Sequence, residues 1–589
     1  MAHKHDSGFL AAFALGAGCV ALLVASGCGR NVEPADLVLL HGKIVTVDPD
    51  HPQAQALAAR DGIIVAVGSD DDMQAYVGER TRTVDLQGRL TIPGMIEGHG
   101  HFSSFGSSLL NVDLLGAHTW DEAVGRVAAA VAQAEPGEWI LGRGWHQEKW
   151  DVRPSPDVEG YPTHESLSRA TANNPVILRH ASGHAAIVNA EAMQRAGIHE
   201  STPDPDGGKV LRDLRGRPTG VLRETAQQIA QVAYADAQSK RTPAELRARA
   251  ERELVLANAG CLENGITSFQ DAGSTFEDVD LMRELCEDGR LTVRLWVMLR
   301  EGNGRLRARL PRYRIIGAAN HHLTVRALKR SIDGALGSHS AWLLEPYADQ
   351  PLSTGLNTAA LDSLQDLARI AIDNDFQLCV HAIGDRGNRE TLDLFERAFA
   401  LHPEKSALRW RIEHAQHLNR NDIPRFGALG VIAAMQGIHC PSDAPWVTLR
   451  LGAERAEEGA YVWRKLIDSG ARIGNGTDVP VEKIDPIASF YASVSRMTNS
   501  GERFYPEQCM SRMEALESYT IHNAYAAFEE HLKGTLTPGK LADITVLSRD
   551  ILTIPEAQIP ATRVDMTIVG GELLYERQAD PVPNLEAAR

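Results

Sequence analysis

The segment Ile92–Phe102 reads IPGMIEGHGHF and ends an apolar run in two histidines one residue apart. Side chains of an extended strand alternate between its faces, so His99 and His101 point to the same side. The glycines at 98 and 100 let another group approach the backbone closely. A metal ion bound by both imidazoles fits this pattern. For an isolated HxH pair, a packing or surface role is the alternative.

The bulk composition indicates a multidomain globular protein. A length of 589 residues exceeds what a single simple core usually holds. Hydrophobic residues make up 43% and charged residues 23% of the chain, as in soluble proteins generally. The formal net charge is −17, and no basic cluster with interleaved aromatic residues is present in the sequence. We therefore predict no nucleic-acid partner.

The N-terminus has the pattern of an export signal. A short polar start precedes FLAAFALGAGCVALLVA, an apolar run of 17 residues, which is typical of a secretory signal. The following Ala25-Ser26-Gly27-Cys28 resembles a bacterial lipobox, which implies that Cys28 is lipidated. We expect residues 1–28 to be the signal and lipidation site of an exported lipoprotein, held to the membrane only by its lipid on the periplasmic or cell-surface side. An uncleaved membrane anchor is the alternative.

The remaining chain predicts an α/β protein with three parts. Short β runs with glycine-containing turns occupy 35–92 and return at 535–577, which predicts a composite β-sandwich built from both ends. Residues 93–534 alternate apolar strands with helical patterns, and eight such strands predict a (β/α)8 TIM-type barrel. Roughly 150 residues separate the first two strands, far more than an ordinary connection. We expect 111–260 to contain an inserted lid subdomain.

Polar residues stand at the ends of five of these strands. In a (β/α)8 barrel the carboxyl ends of all strands meet at one rim, where the active site lies. Any one of these residues alone could be a core histidine or a helix cap, but the set predicts a single site. Its members are His99 and His101 on strand 1, Lys329 on strand 4, His381 on strand 5, His414 on strand 6 and Asp478 on strand 8.

Several motifs resemble those of the amidohydrolase superfamily, in its YtcJ-like and N-substituted formamide deformylase-type (amidohydrolase 3) branch. They are IPGMIEGHGHF, KRSIDGALGS, HAIGDRGN, RIEHAQ, MQGIHCPSD, GTDVPVE and GKLADITVL. The resemblance runs from about Asp36 to Glu576. It implies one or two divalent metals, zinc first, held by the six residues above, with a carbamate on Lys329 bridging them. An unmodified Lys329 beside a single metal is the alternative. Glu97 departs from the aspartate that is usual in the family.

The resemblance also implies the reaction. It predicts hydrolysis of a non-peptide C–N bond in a small amide, N-substituted formamide or cyclic amide, with Asp478 accepting and returning a proton. An esterase, a lactonase, a phosphoester hydrolase and a non-catalytic binding lipoprotein are the rival hypotheses. Self-association into a homo-oligomer is left open. Substrate contacts are predicted at His184, Trp145, Gln436 and His439, with packing beneath the lid as the alternative for each.

Overall fold

A computed structural model of the protein describes residues 32–578, except 115, 148–149, 181–184, 206–207 and 338. A parallel sheet in the middle of the chain orders its eight strands as they occur in the sequence. The predicted (β/α)8 barrel is thereby confirmed. Its strands are β1 (Met95–Gly100), β2 (Ile266–Ser274), β3 (Arg294–Leu299), β4 (Leu323–Ser331), β5 (Gln377–Ala382), β6 (Arg411–His414), β7 (Ile432–Gln436) and β8 (Ile473–Gly476).

Helices follow the barrel strands and bury an apolar face against them. Leu361–Asp373, for example, buries Leu364, Leu367 and Ala371, which lie three and four residues apart on one helical face. The helices of the barrel are Phe102–Leu109, Pro243–Glu263, Phe276–Glu287, Asn303–Arg309, Leu361–Asp373, Asp385–Leu401, Ile423–Leu429, His439–Leu451, Ala453–Gly459, Trp463–Asp468, Pro486–Ser495, Arg512–Tyr519 and Ile521–Ala526.

The helix that leads into β2 begins with a strong local signal. The Thr242 side chain accepts a hydrogen bond from the Glu245 backbone, and the Glu245 carboxylate accepts one from Thr242 N at 2.7 Å. Pro243 occupies the first turn, where its missing N–H costs nothing. This capping box fixes the point at which the chain returns from the insertion to the barrel.

Both ends of the described chain contribute to a two-sheet β-sandwich. Leu39 and Ile44 from the N-terminal part share a buried core with Ile544 and Ile568 from the C-terminal part. Leu90–Pro93 belongs to the larger sheet and leads directly into β1. The strands are, in order, Ile63–Gly68, Ala56–Arg60, Leu37–Leu40 and Arg82–Asp85 in one sheet, and Glu572–Glu576, Val564–Val569, Ile544–Leu547, Leu90–Pro93, Lys43–Val45 and Gln53–Ala54 in the other.

The insertion between β1 and β2 has a six-stranded sheet of its own. Apolar side chains are buried on both faces of this sheet, in two separate cores. Its strands, in sheet order, are Gly208–Arg212, Pro218–Glu224, Ala185–Val188, Val176–His180, Ile140–Trp145 and Val112–Asp113, and its helices are Trp120–Val131, Glu165–Ala170, Ala190–Arg195 and Gln227–Ser239.

The predicted signal segment and Cys28 lie outside the described residues. Within the part of the chain that the structure describes, no helix has both the length and the apolar character needed to cross a bilayer.

The first and last barrel strands meet along a seam that depends on side chains as well as backbone. Asp478 N donates to His99 O at 2.8 Å. The Asn523 amide donates to Ile96 O and to Asn475 O, each at 2.8 Å. On the β8 side, Gly476 lies so close to β1 that an added Cβ would stand 2.6 Å from His99 N. A side chain at this position would force the two strands apart.

We therefore expect Gly476→Ala to lower the free energy of unfolding by about 1–3 kcal/mol, because the added methyl group has no room between β1 and β8 and can fit only by displacing them. Gly125→Ala is the matched control, since its Cβ would meet nothing within 4 Å on the helix Trp120–Val131. That control should gain up to about 1 kcal/mol from helix propensity. Urea unfolding of both variants measures the difference, and equal stabilities would contradict the close seam.

Candidate metal centre

Three side chains converge at the carboxyl end of the barrel. His99 comes from β1, His414 ends β6, and Asp478 follows β8. All three are buried, and each offers a ligand atom within 4.8 Å of the others. The backbone is left-handed at His414 (φ 75°) and Asp478 (φ 57°), a conformation that non-glycine residues seldom adopt and that is often found at functional sites. This group could hold a metal ion.

The His99 ring is oriented by Glu413. Its Nδ1 hydrogen-bonds the Glu413 carboxylate, which must accept, so Nδ1 carries the proton and Nε2 has the free lone pair. Nε2 is buried without a hydrogen-bond partner among the described residues and lies 3.6 Å from Asp478 Oδ1. A carboxylate behind a histidine in this way is the usual support of a metal ligand.

A buried arginine in turn holds Glu413. Arg411 donates to both carboxylate oxygens, at 2.6 and 2.9 Å, and also to Gly98 O at 2.8 Å and to Gln270. Burial opposes the charge of Glu413, but Arg411 and His99 outweigh it and hold the pKa of Glu413 far below its usual range. Glu413 is therefore ionised and accepts the hydrogen bond from His99 Nδ1–H.

His414 is oriented by an amide instead. Its Nδ1 donates to Gln436 Oε1 at 2.7 Å, while Gln436 Nε2 donates to Ala434 O at 3.2 Å. Nε2 is then the ring atom available to a metal. Gln436 was predicted as a substrate contact, but both ends of its amide serve to position His414.

The other three predicted ligands stand around this group. His101 Nε2 is 3.2 Å from Asp478 Oδ1. The His381 ring centre is 4.5 Å from that of His414, and its buried Nε2 makes no hydrogen bond within the described ranges, with Asp333 Oδ1 at 3.5 Å. Lys329 is buried on β4. Its register partner on β5 is Cys379, which precedes His381 by two residues. The structure therefore brings the predicted ligand set together.

Burial keeps His99 and His414 neutral. It is the main reason why the pKa of His99 falls to about 4 and that of His414 falls well below the ordinary value. The positive charge of Lys329 acts in the same direction on both rings. Burial also lowers the pKa of Lys329 itself. A divalent metal binds neutral imidazole, so the barrel supplies the protonation state that such a ligand needs.

Asp478 stays ionised in the same surroundings. Burial alone would raise the pKa of its carboxyl group, but hydrogen bonding to His101 and His439 brings that pKa well below the usual value. His439 begins the helix His439–Leu451, and its Nε2 lies 3.5 Å from Asp478 Oδ2. The predicted substrate contact His439 thus stands beside the centre.

The two remaining predicted substrate contacts belong to the insertion. Trp145 is fully buried, packs edge-on against His180, and donates its indole N–H to Leu178 O at 2.9 Å. The structure therefore gives it a packing position in one core of the inserted sheet. His184 lies outside the described residues.

Two acidic residues position the site and were not predicted to do so. Glu97 accepts from Thr477 N at 2.6 Å, which ties β1 to the chain after β8, and burial raises its pKa to about 8. Asp333 accepts from three backbone N–H groups at 2.7–3.0 Å, those of Trp342, Ile383 and Gly384. Glu97, which stands where an aspartate is usual, therefore helps to hold the seam between β1 and β8.

The fold and site define a TIM-barrel protein with a histidine–carboxylate centre, and comparison with known proteins agrees. The amidohydrolase family model matches residues 82–575. The chain belongs to that family and is a hydrolase, which confirms the resemblance seen in the motifs.

Relatives share most of their length with this chain. Protein LONG AFTER FAR-RED 3 of Arabidopsis thaliana is 33% identical over 92% of both chains. N-substituted formamide deformylase of Arthrobacter pascens is 26% identical over 92% of this chain and 98% of its own. The crystal structure of an uncharacterized metal-dependent hydrolase from Pyrococcus furiosus is 26% identical, with a TM-score of 0.69, and covers 88% of this chain and 100% of its own.

The Arg411–Glu413 pair yields a stability prediction. Glu413→Ala leaves the buried Arg411 charge without its carboxylate and should cost about 3–5 kcal/mol of unfolding free energy. The control is Asp236→Ala, which breaks an exposed pair with Lys240 and should cost less than about 1 kcal/mol. Chemical unfolding measures both, and equal losses would show that the buried pair is not a structural support.

Proposed function

We propose that the protein is a metal-dependent amidohydrolase that cleaves a non-peptide C–N bond of a small molecule. The observation that carries the proposal is the convergence of His99, His414 and Asp478 with ligand atoms within 4.8 Å. Family membership and the names of the deformylase and of the metal-dependent hydrolase reported above support the same reaction class.

The chemistry of the donor set fits a divalent metal. Nε2 of His99 and Nε2 of His381 are buried ring atoms without hydrogen-bond partners in the described part of the chain, as expected of nitrogens reserved for an ion. His99, His101, His381, His414 and Asp478 would hold one or two ions, and imidazole with carboxylate suits zinc. A carbamate on Lys329, formed when its neutral amine adds carbon dioxide and loses a proton, would supply further anionic oxygen ligands.

A bound divalent metal would lower the pKa of water enough to supply hydroxide near neutral pH. The residues of this chain then place and move the protons. Glu413 and Gln436 fix the two histidine rings, so that neither rotates away as the reaction proceeds. The Asp478 carboxylate accepts the proton of the attacking water and returns it to the leaving nitrogen while the C–N bond breaks. The products are a carboxylic acid and an amine.

Metal content tests the site directly. His99→Ala and His381→Ala should each lower the bound metal by more than half, because each removes a neutral imidazole ligand. His402→Ala is the control, since this partly exposed ring lies at the end of the helix Asp385–Leu401. Elemental analysis after expression in zinc-supplemented medium gives the answer. A wild-type protein without transition metal would overturn the assignment.

Asp478→Asn separates metal binding from chemistry. The amide keeps an oxygen that can face the metal but cannot accept a proton, and losing a general base commonly costs ~10²–10⁴-fold in rate. We expect the variant to keep most of its metal and lose nearly all turnover. Lys329→Ala should lose metal and turnover together. Wild-type turnover in Asp478→Asn would refute the role given to Asp478.

A substrate panel decides between bond types. N-substituted formamides, cyclic amides, esters, lactones and phosphoesters of similar size should be tested on the metal-loaded protein. Turnover of amide-type compounds is expected to exceed that of the others. Preference for an ester, a lactone or a phosphoester would assign the centre to that chemistry instead.

The cellular location is a proposal from the sequence alone. Cys28→Ala should abolish lipid attachment, so that the protein no longer enters the detergent phase on Triton X-114 partitioning. Cys509→Ala, at a partly buried cysteine in the barrel part of the chain, is the matched control. Finding wild-type protein in the cytoplasm with Met1 intact would contradict the lipoprotein assignment.

A further inference from the structure

The inserted sheet places two arginines side by side. The strands Ile140–Trp145 and Val176–His180 are parallel neighbours, and their register sets Arg143 opposite Arg179. Adjacent strands lie only about 4.8 Å apart, and like charges directly opposite one another destabilise a sheet. Folding alone gives no reason to place two positive charges there.

Among the residues that the structure describes, the two guanidinium groups are unpaired. Both side chains are exposed, and within the described residues neither takes part in a hydrogen bond or an ion pair. Other arginines of the insertion do pair with carboxylates. They are Arg126 with Glu122, Arg153 with Asp157, Arg195 with Glu191, Arg212 with Asp204, Arg217 with Asp213 and Arg223 with Glu159. Ion pairs thus neutralise arginines through much of this subdomain, but no described carboxylate forms an ion pair with Arg143 or Arg179.

The pair lines a cavity of about 570 Å³. Its remaining walls are polar and include the buried His180 and the glutamines Gln227 and Gln228, which begin the helix Gln227–Ser239. That helix has no acidic residue in its first turn, so Glu224, just before the helix, is the carboxylate nearest in sequence to its positive end. The volume is in the range of sites for small molecules.

We propose that this cavity is a binding site for a small molecule that carries a carboxylate group. Two guanidinium groups side by side present forked N–H donors that match the two oxygens of a carboxylate. The Gln228 amide can donate to a further oxygen of the same ligand. Glu224 also lines the cavity, and its negative charge favours a monoanionic carboxylate over a phosphate, which carries more charge.

The site is separate from the metal centre in its residues and its chemistry. All of its lining residues belong to the insertion. The proposal therefore does not rest on the hydrolase reaction. Inactivity toward amides would leave it untouched, and its own failure would leave the metal chemistry untouched.

Calorimetric titration of the metal-loaded full chain with propionate, a monoanionic carboxylate, tests the proposal, with inorganic phosphate and the uncharged propionamide as the comparison probes. Propionate should bind, phosphate should bind more weakly, and propionamide should show no heat of binding. Arg143→Gln and Arg179→Gln should each weaken propionate at least tenfold, and the double variant should abolish binding. Arg215→Gln, an arginine of the same subdomain outside the cavity, is the matched control and should bind as wild type does.

Three results would overturn the proposal. They are no propionate binding by wild type, unchanged affinity in both arginine variants, and tighter binding of phosphate than of propionate. Propionate bound at the metal instead would be lost in His381→Ala and kept in the arginine variants. If Arg143→Gln or Arg179→Gln fails to fold, Arg143→Lys and Arg179→Lys retain the charge without the fork and should still weaken propionate severalfold. Melting curves provide a further readout, because removing one of two repelling charges should not lower the melting temperature without ligand.

Discussion

The barrel of this protein depends on how its first and last strands meet. The bond from Asp478 N to His99 O and the paired contacts of Asn523 bring β1 and β8 together. The same bond joins two residues of the candidate metal centre. Closing the barrel therefore sets the positions of His99 and Asp478, and the glycine at 476 is needed because the strands approach too closely for a side chain.

Burial then determines the chemistry that the closed barrel can perform. Removing His99 and His414 from water leaves their rings neutral, and Arg411 and Glu413 hold their charges in a fixed buried pair. Glu413 reaches across the barrel from β6 to the His99 ring on β1. A preorganised set of neutral nitrogens and one ionised carboxylate needs little rearrangement to bind an ion, and a site built on strands is more rigid than one built on loops.

Much of this arrangement could be predicted from the sequence. Side chains alternate along a strand, and the strands of a parallel barrel end at a common rim. These two rules place His99, His101, His381 and Asp478 without any knowledge of contacts. Glu413 could not be placed in the same way. Alternation along β6 puts Arg411 and Glu413 on one face and His414 on the other, but the left-handed backbone at His414 breaks this alternation at the strand end. The use of Gln436 as a support for His414 depends on a contact between strands that spacing does not reveal.

The central claim is that the buried Nε2 atoms of His99 and His381 face a metal ion next to Asp478. X-ray diffraction from crystals of the zinc-loaded protein, measured on both sides of the zinc absorption edge, locates the ion without reference to activity. The account predicts an anomalous peak within about 2.0–2.2 Å of His99 Nε2 and of an Asp478 oxygen. A peak elsewhere in the molecule, with water filling the space between these residues, would contradict it.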